Sequence, residues 1–310
     1  MATVTAGGKP ETRRGATGVA RRREALAGYM FALPFLVLFV VFTVGPVIAA
    51  LGMSFTDLRS ADINNPLAVQ PVGLKNYSKL LSDESFKQAV LNTGYFVLVG
   101  VPLTIVLALA VAVGLNSGIT RFKTFFRVGY YLPVVTSIVA VAVVWRFLLE
   151  PNSGLVNTLL GYVGIDGPSW LKDETWAMPS LIAMAAWRNM GTLVIIFLAG
   201  LQTVPAEMHE AAAIDGAGAW GRFRHITLPL LRPTMLFGAV ITGIGYLQFF
   251  EEPFVMTQGG PLDKTLSVAY YAYNQFGFGN YSYAAAMAYT LFLVIAVVTF
   301  LQFKLLGEKD

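Results

Sequence analysis

The stretch whose reading decides the fold runs Gln202-Thr203-Val204-Pro205-Ala206-Glu207-Met208-His209-Glu210-Ala211-Ala212-Ala213-Ile214-Asp215-Gly216-Ala217-Gly218-Ala219-Trp220-Gly221-Arg222-Phe223-Arg224-His225-Ile226-Thr227-Leu228-Pro229. Pro205 suits the first turn of a helix, Glu207 and Glu210 complement its positive end, and Gly216 suits its stop. A short helix, a glycine bend and a second short helix are therefore expected. Such a helix has too little surface to be stable alone, and three consecutive alanines let another backbone approach closely. Met208, Ile214, Trp220, Phe223 and Ile226 supply apolar anchors, so the segment reads as a helix made for a partner's groove.

On either side of this segment the chain is apolar for long enough to cross a bilayer. A hydrocarbon core of about 30 Å needs roughly 20 apolar residues per helix. Six stretches qualify: Tyr29–Met53, Val90–Leu115, Tyr130–Leu149, Ala177–Leu201, Pro233–Phe250 and Tyr283–Leu301. The composition agrees, with 55% of the 310 residues hydrophobic, only 13% charged and a mean hydropathy of +0.61; soluble domains carry about a quarter charged residues. The expectation is an all-α polytopic membrane protein with six transmembrane helices. The first stretch follows Arg21, Arg22 and Arg23 but is longer than the apolar region of a signal peptide, so 29–53 reads as a membrane anchor. Residues 1–28, rich in Gly, Thr, Ala and Arg and without apolar periodicity, read as a disordered basic cytoplasmic tail.

The net charge of +4 and a pI near 9.2 do not point to nucleic acid, because in a membrane chain Lys and Arg report orientation first. With the N-terminus inside, the inner segments (1–28, 116–129, 202–232, 302–310) hold 14 basic residues and the outer ones six. Seven acids fall inside and 11 outside, giving +7 against −5, with Arg146 and Arg188 inside helices. One topology satisfies the count, with both termini cytoplasmic. Of the outer segments, 54–89 carries a short amphipathic helix around Asn76 to Leu81, and 254–282 a turn at Gly259-Gly260-Pro261.

With no cysteine in the chain, disulfides, thiolate catalysis and cysteine-ligated metals are excluded. Phosphate-binding loops of the form G-x4-G-K-[ST] are absent, the one Gly-Lys pair being Gly8-Lys9 before Pro10. His209 and His225 both lie in the inner loop and form no H-E-x-x-H, and no Gly-x-Ser-x-Gly elbow occurs. No machinery for hydrolysis or metal catalysis is visible.

The inner loop also carries a resemblance. Glu210-Ala211-Ala212, three residues, Gly216, nine residues, Ile226, one residue, Leu228-Pro229 matches the EAA signature (E-A-A-x3-G-x9-I-x-L-P) of importer-type ABC permeases at every defined position. Leu51 to Asp57, Val72 to Tyr77, Phe197 to Gln202 and Val255 to Pro261 are similar to the carbohydrate branch related to the maltose and glycerol-phosphate permeases. The similarity runs from about Tyr29 to Leu305. It implies a type I importer permease fold with its core over 88–303 and a coupling loop at 202–232. Glu210, Ala211, Ala212, Gly216, Ile226, Leu228 and Pro229 then form the ATPase-coupling element, with Asp215 and Arg222 as rim contacts. It further implies a cytoplasmic ATP-binding subunit dimer that carries ATP and Mg, so that this chain binds no cofactor. The other implied partners are a second homologous permease subunit, an extracytoplasmic solute-binding protein, a sugar substrate and the lipid bilayer, in a bacterial inner membrane.

Polar groups inside a bilayer are costly and face a bundle interior or an aqueous cavity. Four places qualify: Trp187-Arg188-Asn189, Tyr246 to Glu252, Asn92, and Thr136-Ser137. At about 1.5 Å per residue, Arg188 and the Tyr246–Glu251 run both lie roughly 20 Å or more from the inner ends of their helices, so they share a level. The expected substrate path consists of Trp187, Arg188, Asn189, Tyr246, Gln248, Phe249 and Glu251, with Arg188 paired to Glu251 or Glu252. Aromatic faces beside amides suit a sugar. The family pattern Q-[VF]-F-[DE]-E stands here as Gln248 to Glu252, while Pro253 and Phe254 replace the usual Ile-Tyr and are expected to kink the helix end. Arg146 is expected to snorkel.

Two other readings compete. An ion-coupled secondary transporter would also place charges such as Arg188 and Glu251 at midplane, but predicts broken helices and an inverted repeat, which the sequence does not display. A non-transport scaffold would have no need of a polar layer. Neither accounts for the EAA loop.

Overall fold

The computed structural model describes residues 18–65, 69–117 and 123–306, and among them the secondary structure is helical apart from one isolated bridge, Thr56 to Pro71. The chain divides into two compact units, Met1–Gly52 and Met53–Asp310. In the first, α1 (Gly18–Phe39) passes through a π-turn, Val40–Val44, into α2 (Gly45–Ser54). A second π-turn, Phe223–Thr227, lies in the inner loop. Both are followed two residues later by a proline, Pro46 and Pro229. Proline brings no N–H to the helical ladder, and the widened turn accommodates the mismatch. Helix formation from Gly18 corrects the expected tail over its last eleven residues: Arg21-Arg22-Arg23-Glu24-Ala25-Leu26-Ala27 is made of strong helix formers that extend an adjoining helix without apolar periodicity. Residues 1–17 of that tail lie outside the described residues.

In the second unit, α3 (Lys75–Ser82) precedes α4 (Glu84–Ser117). The third stretch was expected as one helix, but forms two, α5 (Lys123–Val135) and α6 (Ile138–Leu148), bent by 106°. Pro133 removes a ladder donor near the end of α5, Thr136 Oγ1 turns back onto the Leu132 carbonyl at 2.8 Å, and Ser137 is extended. A broken segment is therefore present where the sequence displays none, so broken helices do not separate this chain from a secondary transporter. After α7 (Leu155–Tyr162) comes α8 (Ala177–Leu201), the most deeply buried span. The inner loop forms α9 (Ala206–Ile214), α10 (Ala219–Arg222) and α11 (Leu228–Leu230) before α12 (Arg232–Leu247). The outer end comprises α13 (Glu251–Met256), α14 (Val268–Gly277) and the start of α15 (Tyr281–Leu306). By length and composition four helices can cross a membrane, or six when each bent pair counts as one span.

Helix α8 is the axis of this unit, with α4, α5 and α12 laid against it. Lipid tails give no hydrophobic drive between helices, so close contact at small residues has to hold them. Gly191 on α8 receives the Tyr130 carbonyl of α5 so closely that a Cβ would collide with it. Farther inward, Phe197, Leu193 and Leu231 fill the space beside Ala108 and Ala112 of α4. Toward the outer side, Phe96 stacks on Phe249 with centroids 3.9 Å apart and meets Tyr246 edge-on at 5.0 Å.

Candidate functional site

Helix α9 begins after Pro205, which is extended and caps it, and ends where Gly216 takes φ +78°. There the Ala217 N–H reaches back to the Ala212 carbonyl at 2.8 Å and that of Gly216 to Ala213 at 3.1 Å, a Schellman-type stop that satisfies end carbonyls. Nothing lies within 4 Å of a Cβ at Gly216. Glycine is required there by backbone conformation alone. Glu210, Ala211, Asp215 and Gly216 are exposed, Ala212 is half-buried, and Ile214 and Trp220 stand 87% and 70% exposed. These are large apolar groups on a polar loop. Ile226, Leu228 and Pro229 lie apart from the exposed helix, half-buried in the return that leads to α12. Arg222, with His209 and Glu210, lines a cavity of about 610 Å3 to which Val113, Asn116 and Leu201 also contribute.

The second site is a cavity of about 320 Å3 between α8, α12 and α13. Arg188, Asn189, Gln248, Glu251 and Glu252 line it, and the structure adds Thr192 and Thr242. These threonines were missed in the sequence because a lone hydroxyl in an apolar helix carries no signal until its face is known. The break that brings Gln248, Glu251 and Glu252 to this wall comes at residues 248–250, since α12 stops at Leu247 instead of Phe250 and α13 starts afresh at Glu251. Pro253 thus sits in the first turn of α13, where a missing N–H is harmless. The expected kink lies upstream of it.

Two expectations for this layer change. Arg188 makes no ion pair with Glu251 or Glu252: its Nη1 donates to Asn189 Oδ1 at 3.3 Å, and its Nε and Glu252 Oε2 are buried without a partner. The two groups sit on separate helices across an open cavity, which keeps them apart. Trp187, on another face of α8, lies 5.8 Å ring to ring from Trp145 in a largely apolar cavity at the α5–α6 bend. Consecutive helical residues point about 100° apart, and at this step Trp187 turns to the cavity at the bend while Arg188 turns to the one between α8, α12 and α13. Tyr246 and Phe249 are 4% and 3% exposed. The Thr104 hydroxyl donates to the Gly100 carbonyl at 2.7 Å, leaving the Tyr246 hydroxyl to donate to Thr104 Oγ1 at 2.8 Å. Tyr246 and Phe249 thus line the cavity as sequence predicts, with most of their side-chain surface packed into its wall.

Of the remaining polar candidates, Asn92 Nδ2 donates to the carbonyls of Asp263 and Leu266 at 2.6 and 2.8 Å, tying the outer turn to α4. Arg146 donates to the Val255 carbonyl at 3.1 Å instead of snorkelling freely. Among the described residues no cluster of three or more potential metal ligands occurs.

Residues 82–307 match the model of the family described as binding-protein-dependent transport system inner membrane component. The lactose transport system permease protein LacF of Rhizobium radiobacter is 36% identical over 295 residues, covering 93% of this chain and 97% of that protein. The arabinooligosaccharides transport system permease protein AraP of Bacillus subtilis is 34% identical, covering 91% and 89%. The trehalose/maltose transport system permease protein MalF of Thermococcus litoralis is 30% identical, covering 93% and 96%. Among solved structures, a chain of a bacterial ABC transporter involved in the import of the acidic polysaccharide alginate superposes with a TM-score of 0.76 at 26% identity, covering 92% of this chain and 96% of that one. A second structure of that transporter, in complex with an alginate pentasaccharide-bound periplasmic protein, gives 0.73 at 26% identity, covering 91% and 93%. The EAA helix, the polar cavity and these likenesses converge: the chain belongs to the binding-protein-dependent transport system inner membrane components, and is a multi-pass membrane permease subunit of an ABC importer, not an enzyme.

Proposed function

We propose that this subunit carries a neutral sugar across the membrane and takes its drive from a separate pair of ATP-binding subunits seated on α9. The observation that carries the coupling half is the exposure of α9, with Ile214 and Trp220 uncovered around the complete EAA signature. A nine-residue helix gains little from its own hydrogen bonds, and docking in a groove of an ATPase subunit gives those side chains a partner. ATP and Mg belong to that subunit, since this chain has no phosphate loop. Glu210, Ala211, Ala212 and Gly216 make the contact, and Asp215 and Arg222 lie at its rim. Ile226, Leu228 and Pro229 pass the movement into α12.

A sugar is supported by the relatives, whose names carry lactose, arabinooligosaccharides and trehalose/maltose. The cavity at α8, α12 and α13 suits a neutral one. Two carboxylates and one guanidinium line it, which disfavours an anionic solute. The Arg188 guanidinium offers donors and the carboxylates of Glu251 and Glu252 acceptors, the complementary halves that a sugar's hydroxyl groups use. Asn189, Gln248 and Glu251 complete the polar lining. A liganded extracytoplasmic binding protein docks outside, ATP-driven closure moves α9, and the spans rock to open the cavity inward. The excess of basic residues on the inner segments puts both termini in the cytoplasm. A second, homologous permease chain completes the path.

Affinity purification of the tagged chain from membranes tests this reading. The expected complex contains an ATP-binding subunit and a second permease, and its ATP hydrolysis rises with a sugar-loaded binding protein. Purification of an active transporter made of this chain alone would overturn it.

A further inference from the structure

The outer segments carry a net −5 and only six basic residues, yet three of those six, Arg59, Lys75 and Lys79, line a single cavity of about 370 Å3. All three are exposed, and none forms an ion pair; Lys87 with Glu84 is the pair found among the described residues. One acid, Asp57, shares the cavity, and its Oδ1 already accepts from the Gln70 N–H at 2.7 Å. Lys79 and Asp83 stand four apart, a spacing that pairs opposite charges on a helix. Here α3 ends at Ser82, Asp83 is extended, and its Oδ2 accepts from the hydroxyls of Tyr283 at 2.6 Å and Tyr271 at 2.8 Å. Lys79 is left over the Tyr283 ring, 4.2 Å from its centroid. Positive charge thus accumulates where the surroundings are acidic.

The cavity is also rigidly framed. Ser282 donates its N–H to the Leu58 carbonyl at 3.2 Å, Thr56 and Ser282 join hydroxyls at 2.9 Å, and Ser60 donates to the Gly279 carbonyl at 2.8 Å. Asn76 Nδ2 bridges the carbonyls of Ser54 and Thr56 at 2.9 and 2.7 Å. These bonds fasten the 54–60 loop, α3 and the first turn of α15 into one cap.

We propose that this cap is a docking socket for acidic side chains of the extracytoplasmic solute-binding protein, received by Arg59, Lys75 and Lys79. The inference rests on the importer reading above and adds the place and chemistry of the contact. Charge complementarity decides for that partner: three cations without an ion pair, against the single carboxylate of Asp57, on a net-negative face select a carboxylate-bearing patch and speed its encounter. Because the socket includes the first turn of α15, a docked carboxylate bears directly on a spanning helix.

The test uses the complete complex in nanodiscs and the sugar-loaded binding protein that stimulates its ATP hydrolysis. Arg59→Glu with Lys75→Glu should raise the half-maximal concentration of binding protein at least about tenfold and flatten its dependence on salt. Lys172→Glu, an exposed outer cation away from the cavity, should shift it less than about twofold. Reversing an acidic residue on the binding protein to lysine should restore the double variant. An unchanged half-maximal concentration in a complex that still assembles would overturn the socket. So would a defect that appears in anionic-lipid nanodiscs and vanishes in neutral ones, which would assign the cations to lipid headgroups. Failure of every binding protein to stimulate the wild-type complex would instead overturn the importer reading.

Discussion

Arg188 on α8 and Glu252 on α13 line one cavity of about 320 Å3, and each keeps a buried polar atom that no group among the described residues satisfies. A buried unpaired polar group costs about 1–3 kcal/mol, more when charged. Two such groups beside one cavity mark this layer as more polar than packing alone requires.

Replacing Arg188 with Met keeps the length of the side chain and removes its donors. Sugar uptake by the assembled complex should fall by about tenfold or more, the loss of one charge-assisted hydrogen bond at about 1.5–3 kcal/mol. Uptake equal to wild type would remove Arg188 from the path.

Tyr246→Phe separates wall from ligand. The ring keeps its packing against Phe96 and Gly100, and the hydroxyl's bonds to Thr104 and Asn189 are lost. The complex should lose about 1 kcal/mol of stability in thermal unfolding while the concentration dependence of uptake stays unchanged. A marked rise in the sugar concentration needed would make the hydroxyl a direct ligand.

At Gly191 the α5 backbone occupies the place of a side chain. Gly191→Leu should lower the unfolding midpoint, at a cost of about 1–3 kcal/mol from overpacking. Gly94, also helical but with nothing within 4 Å of a Cβ, is the control: Gly94→Ala should be neutral or stabilising by up to about 1 kcal/mol.

Asp83 gives a pH dependence. Partial burial pushes its pKa up, but the hydroxyls of Tyr283 and Tyr271 and the N–H groups of Phe86 and Ser85 outweigh burial and hold it below the ordinary carboxylate value. Because the folded pKa is depressed, the contribution is fully present above the unfolded value of about 3.9 and is lost as pH falls through the folded one. Thermal midpoints measured downward from about pH 6 should show a component in wild type that is missing in Asp83→Asn. Parallel curves would contradict the assignment.

Much of this was legible in the residues. The Ala206–Ile214 helix and its stop at Gly216 follow from Pro205, Glu207 in the first turn and one glycine, because capping is local chemistry. The level shared by Arg188 and Gln248–Glu252 follows from helical rise. What stayed hidden depended on azimuth and on breaks. Trp187 and Arg188 are neighbours in sequence and line different cavities, since only packing fixes which face of α8 turns where. The 106° bend at Thr136–Ser137 was masked by continuous apolarity on both sides. The charged outer cavity assembles Arg59, Lys75, Lys79 and Tyr283 from three separate segments, and no motif joins them.

The central claim is that movement of α9 drives sugar through a path in this chain, and ATP-dependent sugar uptake in proteoliposomes holding the complete complex tests it most directly. Gly216 sits at φ +78° with open space around it. Gly216→Asn, which tolerates that conformation, should keep most uptake, whereas Gly216→Val, strained by at least about 1–2 kcal/mol, should uncouple α9 and leave a complex that assembles with little uptake. Full uptake by Gly216→Val, or uptake by this chain alone in vesicles without ATP, would contradict the account.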